Sequence, residues 1–424
     1  MNKRNQNDET GCAKCGACMT VCPVFRTEGR ESLTARGRMH LLATATSTNS
    51  ISIVFADVFS RCLLCGACEQ VCPRNLPITQ LIAETRSRFS LFDGPASLHK
   101  AAVCTVLGNP VLFEGLVRAG ISLKRVLALP ADSGLRLRLN LLEERQSNAT
   151  VEKTEKTTTG GDVSYFTGCF ARHLQPSIAV ATKNLLRRCN LSTQIPADQC
   201  CCGLAAWSSG RIEQARDLAQ RNIEAFAETD GPIITSCASC STHLLAYPTL
   251  FAENDLWHKK AQVFSSRIQE FTAFFKEYLP PQINNGLRVF YHDPCHLRFQ
   301  KNGKENPRVL LKKMGYIILE PDDGPRCCGQ GGLFHLACPE TAAKIFKISS
   351  AQALTADPDC IISTCSGCLM QYQQGIAGQG KKIRVAHLAV LLEEACGGKN
   401  ALKLPDGKIC NPTPQLQLLC QKFK

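Results

Sequence analysis

Apolar positions along this chain change their period near residue 163. Before it they recur at helical spacing: Leu33, Met39, Leu41 and Leu42, then Val54, Val58 and Phe59. Beyond it, short apolar runs alternate with amphipathic stretches. Residues 163–166 predict a strand and 176–188 a helix. Residues 211–226 place Ile212, Ala215, Ala219 and Phe226 on one helical face, and 232–235 predict a second strand. The order then recurs, with strand 289–291, helix 307–314, strand 316–319, helix 340–351 and strand 360–363. Such alternation predicts two small α/β lobes with parallel sheets behind an all-helical N-terminal part. Residues 145–162 are polar without an apolar period and predict a flexible linker. The expected organisation is a helical domain 1–95, a helical connector 96–144, that linker, lobes 163–285 and 286–400, and a tail 401–424.

The lobes carry a second repeat, written in cysteine. The first copy is Cys169, then Cys201-Cys202-Gly203, then Cys237-x-x-Cys240; the second is Cys295, then Cys327-Cys328-Gly329, then Cys365-x-x-Cys368. Thirty-one residues separate the first cysteine from the pair in both copies, and 34 or 36 separate the pair from the Cys-x-x-Cys. Matched spacing over ten cysteines marks an internal repeat and a ligand set. Cys169, Cys237, Cys295 and Cys365 each follow a predicted strand, and ligands of parallel sheets sit at the strands' carboxyl ends. Helix N-termini beside them would favour thiolates.

The helical part holds a different pair of motifs. Cys12-x-x-Cys15-x-x-Cys18-x-x-x-Cys22-Pro23 recurs as Cys62-x-x-Cys65-x-x-Cys68-x-x-x-Cys72-Pro73. This is the bacterial ferredoxin run, in which three thiolates of one loop hold three corners of a cubane and the fourth cysteine serves the other cluster. By that rule Cys12, Cys15, Cys18 and Cys72 hold one [4Fe-4S] cluster, and Cys62, Cys65, Cys68 and Cys22 hold the other. Cys-x-x-Cys pairs also build zinc ribbons, but two full runs with the trailing proline favour iron. The 39 residues between the runs make this a helical two-cluster ferredoxin domain. Arg36 and Arg38, just behind the first run, suit either a cluster's counter-charge or a solvated helix face.

Composition agrees. With 26 cysteines in 424 residues the chain is far too long for a secreted disulfide scaffold, and its polar start has no signal-peptide core. Reduced thiolates and a cytoplasmic location are expected. The net charge of +13 counts every cysteine as neutral. Each oxidised cubane with four thiolates carries about −2, so much of the basic excess balances clusters and calls for no nucleic acid. No run reaches the ~18 apolar residues of a membrane helix. The apolar stretch 101–129, broken by Asn109-Pro110, Arg118, Lys124 and Arg125, reads as helical core, with peripheral attachment to the inner face of the membrane as the alternative. No Gly-x-Gly-x-x-Gly is present, and Gly375–Lys381 mimics a phosphate loop without its Ser or Thr or a preceding strand.

Tyr-His-Asp-Pro-Cys295-His and Cys327-Cys-Gly-Gln-Gly-Gly resemble the cysteine-rich "CCG" domain of heterodisulfide reductase catalytic subunits. A helical ferredoxin domain followed by two such repeats resembles the iron–sulfur subunit of glycolate oxidase. D-lactate dehydrogenase and anaerobic glycerol-3-phosphate dehydrogenase have related iron–sulfur subunits. The resemblance covers nearly the whole chain apart from the linker and tail. It implies an electron-transfer subunit of an oxidoreductase. A partner flavoprotein, carrying FAD, oxidises glycolate or D-lactate, and electrons pass on to a quinone or another carrier. It also implies that one or both five-cysteine motifs hold a non-cubane four-iron cluster. The second copy has the glycine-rich wording, whereas the first reads Cys-Cys-Gly-Leu-Ala-Ala and lacks His-Asp-Pro. Two alternatives share the motifs: a heterodisulfide reductase-like thiol–disulfide enzyme, and the membrane-docked glycerol-3-phosphate dehydrogenase subunit.

Cys104, Cys189, Cys200, Cys338, Cys360, Cys396, Cys410 and Cys420 fit no ligand spacing and read as small buried hydrophobes, with Cys200 the exception because it adjoins a ligand pair. His292 and His296 flank Cys295 and suit either proton relay or local structure.

Overall fold

The computed structural model describes residues 11–45, 52–88, 97–126, 142, 161–279 and 286–396. Residues 145–160 of the expected linker, the tail, and Cys410 and Cys420 lie outside the described residues. The chain forms two compact units. One comprises Met1–Thr105, Leu204–Ala215 and Arg326–Ser349; the other comprises Val106–Gly203, Arg216–Pro325 and Ser350–Lys424.

The first unit is helical. Both ferredoxin runs turn directly into short helices, Ala17–Val21 and Ala67–Gln70. Pro23 opens the next helix, Pro23–Glu28, where its missing N–H costs nothing. The longer helices Ala35–Ala45, Ile53–Ser60 and Ile78–Arg86 bury Met39, Leu42, Val58, Phe59, Ile78 and Ile82. Phe334, Ala342 and Ile345 join the same core, so the segment after Cys327-Cys328 packs with the ferredoxin helices. Gly331 makes this close approach: its φ is +51°, and a Cβ there would overlap Leu63. Two readings of the helical period need correction. Val54 is 70% exposed, because only the later turns of its short helix reach the core. Arg38 lies on the apolar face with Ala35, Met39 and Leu42 and is buried, which rules out a solvated position for it.

The second unit holds two four-stranded parallel sheets. Strands β1 (Val163–Phe166), β2 (Thr193–Gln194), β3 (Ile233–Thr235) and β4 (Ile268–Glu270) run in the order β2-β1-β3-β4. Strands β5 (Arg288–Tyr291), β6 (Ile317–Leu319), β7 (Cys360–Ser363) and β8 (Arg384–His387) repeat it as β6-β5-β7-β8. The chain is thus a helical ferredoxin domain followed by two α/β cysteine-rich lobes. In each sheet the chain leaves the first strand to one side and returns to the other. Such a reversal opens a crevice beyond the carboxyl ends of the two central strands. Helix Pro176–Arg188 packs on Leu388–Ala395, and Phe271–Tyr278 packs on Glu305–Lys313, an exchange that relates the lobes as equivalents. Phe271, Phe274, Phe275, Leu185, Leu310 and Leu391 fill the shared core.

The described part of the apolar stretch, 101–126, lies in helices Ser97–Gly108 and Pro110–Val126, with Asn109 between them; residues 127–129 lie outside the described residues. Cys104, Phe113 and Val117 are buried while Val111, Leu112 and Leu116 are exposed. Among the described residues no single helix is long and apolar enough to cross a membrane.

Candidate metal centres

Both ferredoxin runs adopt the same backbone. Lys14 and Leu64, two residues after the first cysteine of each run, have φ of +56° and +52°, and Gly16 and Gly66 follow at +83° and +75°. Left-handed residues alternating with ordinary ones turn successive N–H groups to one side and create an anion-binding concavity. The N–H of Leu64 donates to Cys62 Sγ at 3.4 Å, and that of Arg36 to Cys18 Sγ at 3.3 Å. A left-handed leucine stores strain of about 1 kcal/mol or more, the kind of cost that collects at functional sites.

Two cavities lie against these loops. One is lined by Cys12, Cys15, Cys18 and Cys72, with Cys68 also at its wall. The other is lined by Cys22, Cys62, Cys65 and Cys68. Each cavity therefore meets three cysteines of one run and the last cysteine of the other. Burial pushes the Cys18, Cys22 and Cys68 thiols up, and the neighbouring thiols Cys65 and Cys62 add to the effect at Cys68. Four sulfurs crowded so closely ionise together only around a polycation, and this donor set fits a cubane.

In the first lobe the five repeat cysteines converge. Cys169 follows β1, Cys201 and Cys202 lie in the loop after β2, and Cys237 caps helix Ala238–Leu245 after β3. Their thiols touch in sequence: Cys169 and Cys202 hydrogen-bond to Cys201, Cys240 to Cys202 and to Cys237. Those bonds hold Cys201 and Cys237 well below the usual thiol range, while Cys169 and Cys240, buried beside them, are pushed well above it. The first copy, the poorer by its wording, has a full set of five converging sulfurs.

The pair loop is fixed by residues that no motif announces. Asn222 Oδ1 accepts from the Cys200 N–H at 2.9 Å, and its Nδ2 donates to the Cys201 carbonyl at 3.0 Å and to Tyr247 Oη at 3.1 Å. Tyr247 Oη in turn donates to the Cys202 carbonyl at 2.9 Å. Gln199 accepts from the Thr167 N–H at 2.8 Å, tying this loop to the end of β1. Asn222→Ala removes three buried hydrogen bonds at once and leaves the Cys200 N–H without its acceptor, and a loss of about 2–4 kcal/mol is expected. Tyr247→Phe, which removes two, should cost about 1–2 kcal/mol. Denaturant midpoints of both variants check the order.

In the second lobe Cys295 follows β5, and Cys365 caps helix Ser366–Gly378 after β7 with Cys368 one turn on. Cys327 and Cys328 fall on the Arg326–Ser349 segment, which belongs to the first unit. There the Gly329 N–H donates to Cys327 Sγ at 3.4 Å. The two lobes meet at their Cys-x-x-Cys helices. Cys237 hydrogen-bonds with Cys365, and the Ser239 hydroxyl lies 3.0 Å from Cys365 Sγ and 2.9 Å from His296 Nδ1. Contact with Cys237 pushes the Cys365 thiol up to about 12. His292 is buried with its ring 4.9 Å from that of Tyr372. The remaining cysteines Cys104, Cys200, Cys338, Cys360 and Cys396 are buried and Cys189 half-buried.

His387 caps helix Leu388–Ala395 as a neutral ring: Nδ1 accepts from the Ala389 N–H at 3.1 Å, and Nε2 donates to the Ser236 carbonyl at 3.0 Å. Burial pulls it down to about 4. The folded chain therefore binds fewer protons here than the unfolded chain, whose histidine titrates near 6.5. This stability is fully present above pH 6.5 and is lost as pH falls from there toward 4. The expected loss is about 2 kcal/mol by pH 5. Unfolding midpoints between pH 7.5 and 5 should slope less in His387→Asn, since Asn caps without titrating.

A dicluster helical domain joined to two parallel-sheet lobes with repeated cysteine pairs is the architecture of an iron–sulfur oxidoreductase subunit. The "4Fe-4S dicluster domain" family model matches residues 10–76, and the "Cysteine-rich domain" (CCG) model matches 163–245 and 289–373. The chain is 28% identical to the probable glycolate oxidase iron-sulfur subunit of Bacillus subtilis (strain 168), across 94% of this chain and 96% of that protein. It is 31% identical to Lactate utilization protein A of Shouchella clausii (strain KSM-K16), across 54% of this chain and 98% of that protein. Lactate utilization protein A 2 of Bacillus mycoides (strain KBAB4) is 29% identical over the same shares. The chain belongs to the glycolate oxidase iron–sulfur subunit family.

Proposed function

We propose that the chain carries electrons, one at a time, from a flavoprotein subunit that oxidises a 2-hydroxy acid, glycolate or lactate, toward a quinone or another carrier. The observation that carries this reading is the grouping of the eight ferredoxin cysteines around two cavities, with Cys22 and Cys72 exchanged between the runs and Cys68 at the wall of both. In this reading Cys12, Cys15, Cys18 and Cys72 hold one cubane and Cys22, Cys62, Cys65 and Cys68 the other. Cys169, Cys201, Cys202, Cys237 and Cys240 hold a further four-iron cluster, and Cys295, Cys327, Cys328, Cys365 and Cys368 form the corresponding second set. Clusters of this kind supply one-electron storage without proton chemistry of their own. The residues' task is to bind them, exclude water and set their potentials. The chain has no dinucleotide fingerprint, so the FAD is assigned to the partner, as the word "subunit" in the relative's name suggests. Action in the cytoplasm, with peripheral membrane contact through the exposed face of 110–116, belongs to the same proposal.

The test is anaerobic co-purification followed by substrate. Glycolate or lactate should reduce the chain's iron–sulfur signals only when the flavoprotein is present. A chain that purifies with no flavoprotein, and whose centres ignore both acids in its presence, would sink the reading.

The contact of Cys237 with Cys365, beside Ser239 and His296, favours one second reading: thiol–disulfide chemistry between the lobes. It requires the reduced, fully iron-loaded chain to cleave a low-molecular-weight disulfide. Absence of turnover would end it.

A further inference from the structure

The two cubane sites have unlike electrostatic surroundings. Beside the first, the Arg36 guanidinium is already compensated: it lies 2.7 Å from Glu31, and both side chains are solvent-accessible. Beside the second are Arg38 and Arg86, only 2% and 8% exposed. Arg38 lines the cavity with Cys22, Cys62, Cys65 and Cys68. It donates to the carbonyls of Val58 at 3.0 Å, Arg61 at 2.9 Å and Leu33. Arg86 donates to the carbonyls of Cys62 at 2.7 Å, Phe59 at 2.8 Å, Ser60 at 3.1 Å and Ser208. None of the ion pairs among the described residues involves either arginine.

A buried guanidinium bonded only to neutral carbonyls keeps its full charge, and that is costly unless an anion lies near. Lys100, half-buried nearby, is pulled down to about 8 by burial and by Arg86. One carboxylate lies beside this site: Glu69, next to Cys68, accepts from the Thr79 N–H at 2.6 Å and from its hydroxyl at 2.8 Å. Two buried cations thus act on the second site from inside the protein, whereas Lys14 and Arg74, which line the first cavity with Arg36, are exposed to water that screens them.

We propose that Arg38 and Arg86 act as positioning residues for charge: they hold the reduction potential of the cubane at Cys22, Cys62, Cys65 and Cys68 above that of its neighbour. This rests on the two-cubane reading. One-electron reduction takes a cubane and its thiolates from about −2 to about −3, so a fixed buried cation stabilises the reduced form more than the oxidised one. An electron shared between the two sites then resides at the second, whose Leu63 packs against Gly331 of the Cys327 segment.

The experiment is a potentiometric titration of the full chain followed by low-temperature electron paramagnetic resonance. Signals are assigned with Cys15→Ser, which removes the first cubane, and Cys65→Ser, which removes the second. The higher-potential cubane signal should vanish in Cys65→Ser; its loss in Cys15→Ser instead would overturn the proposal. Arg38→Met should shift the reduced-to-oxidised ratio of the second cubane at fixed potential at least tenfold toward oxidised, 59 mV for one electron. The first cubane should move far less, and Arg38→Lys should restore most of the shift. An unmoved potential in Arg38→Met, or no rescue by lysine, would contradict the charge argument. Should Arg38→Met fail to fold, the two cysteine variants alone decide it. A wild-type chain lacking two cubane signals would defeat the cluster assignment itself, a failure distinct from two cubanes with the opposite order.

Discussion

Cys65→Ser should lower the iron content by about four atoms per chain and abolish one of the two cubane signals, leaving the first lobe's centre in place. Cys65 lines only the cavity shared with Cys22, Cys62 and Cys68, so its loss breaks one ligand set. Serine keeps the volume but offers a hard, poorly ionised oxygen where iron takes a thiolate. The lobe cysteines Cys169, Cys201, Cys202, Cys237 and Cys240 all lie in the other compact unit, so their iron should be retained. The larger functional effect follows from the proposed relay role. Electron flow from the flavoprotein to the acceptor should fall by more than tenfold, while substrate still reduces the flavin. Iron analysis and stopped-flow flavin absorbance read the two halves of this prediction.

Cys201→Ser should do the converse. Cys201 accepts from both Cys169 and Cys202, and the Gly203 N–H also points to it. It is the sulfur at which the first lobe's thiols meet. Its removal should empty that centre and spare both cubanes, whose eight cysteines belong to the first unit. A fold change is not expected, because Asn222 and Tyr247 hold the pair loop through its backbone rather than through sulfur. Retention of all iron in this variant would make the first-lobe cluster structural fiction. Loss of cubane signals together with it would mean that the two units are not independent.

Much of this was readable before any coordinates. Strands 163–166 and 360–363 and helix 176–188 are found where periodicity puts them. Long apolar runs and strongly amphipathic helices decide themselves. Strands β2, β4 and β8 were not foreseen. They are two to four residues long and carry Gln194, Gln269 or Arg384, too little apolar pattern for a period to register. They form because parallel neighbours supply hydrogen bonds, a tertiary cause. Cysteine spacing gave the candidate ligands, but the supporting residues were hidden in plain pattern. Asn222 lies on the same buried helix face as Ala215, Ala219 and Phe226; Arg86 continues Ile78 and Ile82 at helical spacing; Arg38 lies between Ala35 and Leu42. A polar residue at a core position of an amphipathic helix is a legible signal that something buried needs it. What sequence could not reveal was the partner, because carbonyls of Phe59, Cys62 and Cys201 have no side-chain signature.

Redox iron–sulfur centres, rather than zinc or structural thiols, are what the proposed function requires of this chain. The most direct measurement of them is the iron, zinc and acid-labile sulfide content per chain after anaerobic purification, with spectra of the reduced protein. About eight irons with matching sulfide for the cubanes, further iron for the lobes and no stoichiometric zinc are expected. Stoichiometric zinc, little sulfide and no paramagnetic signal on reduction would contradict it.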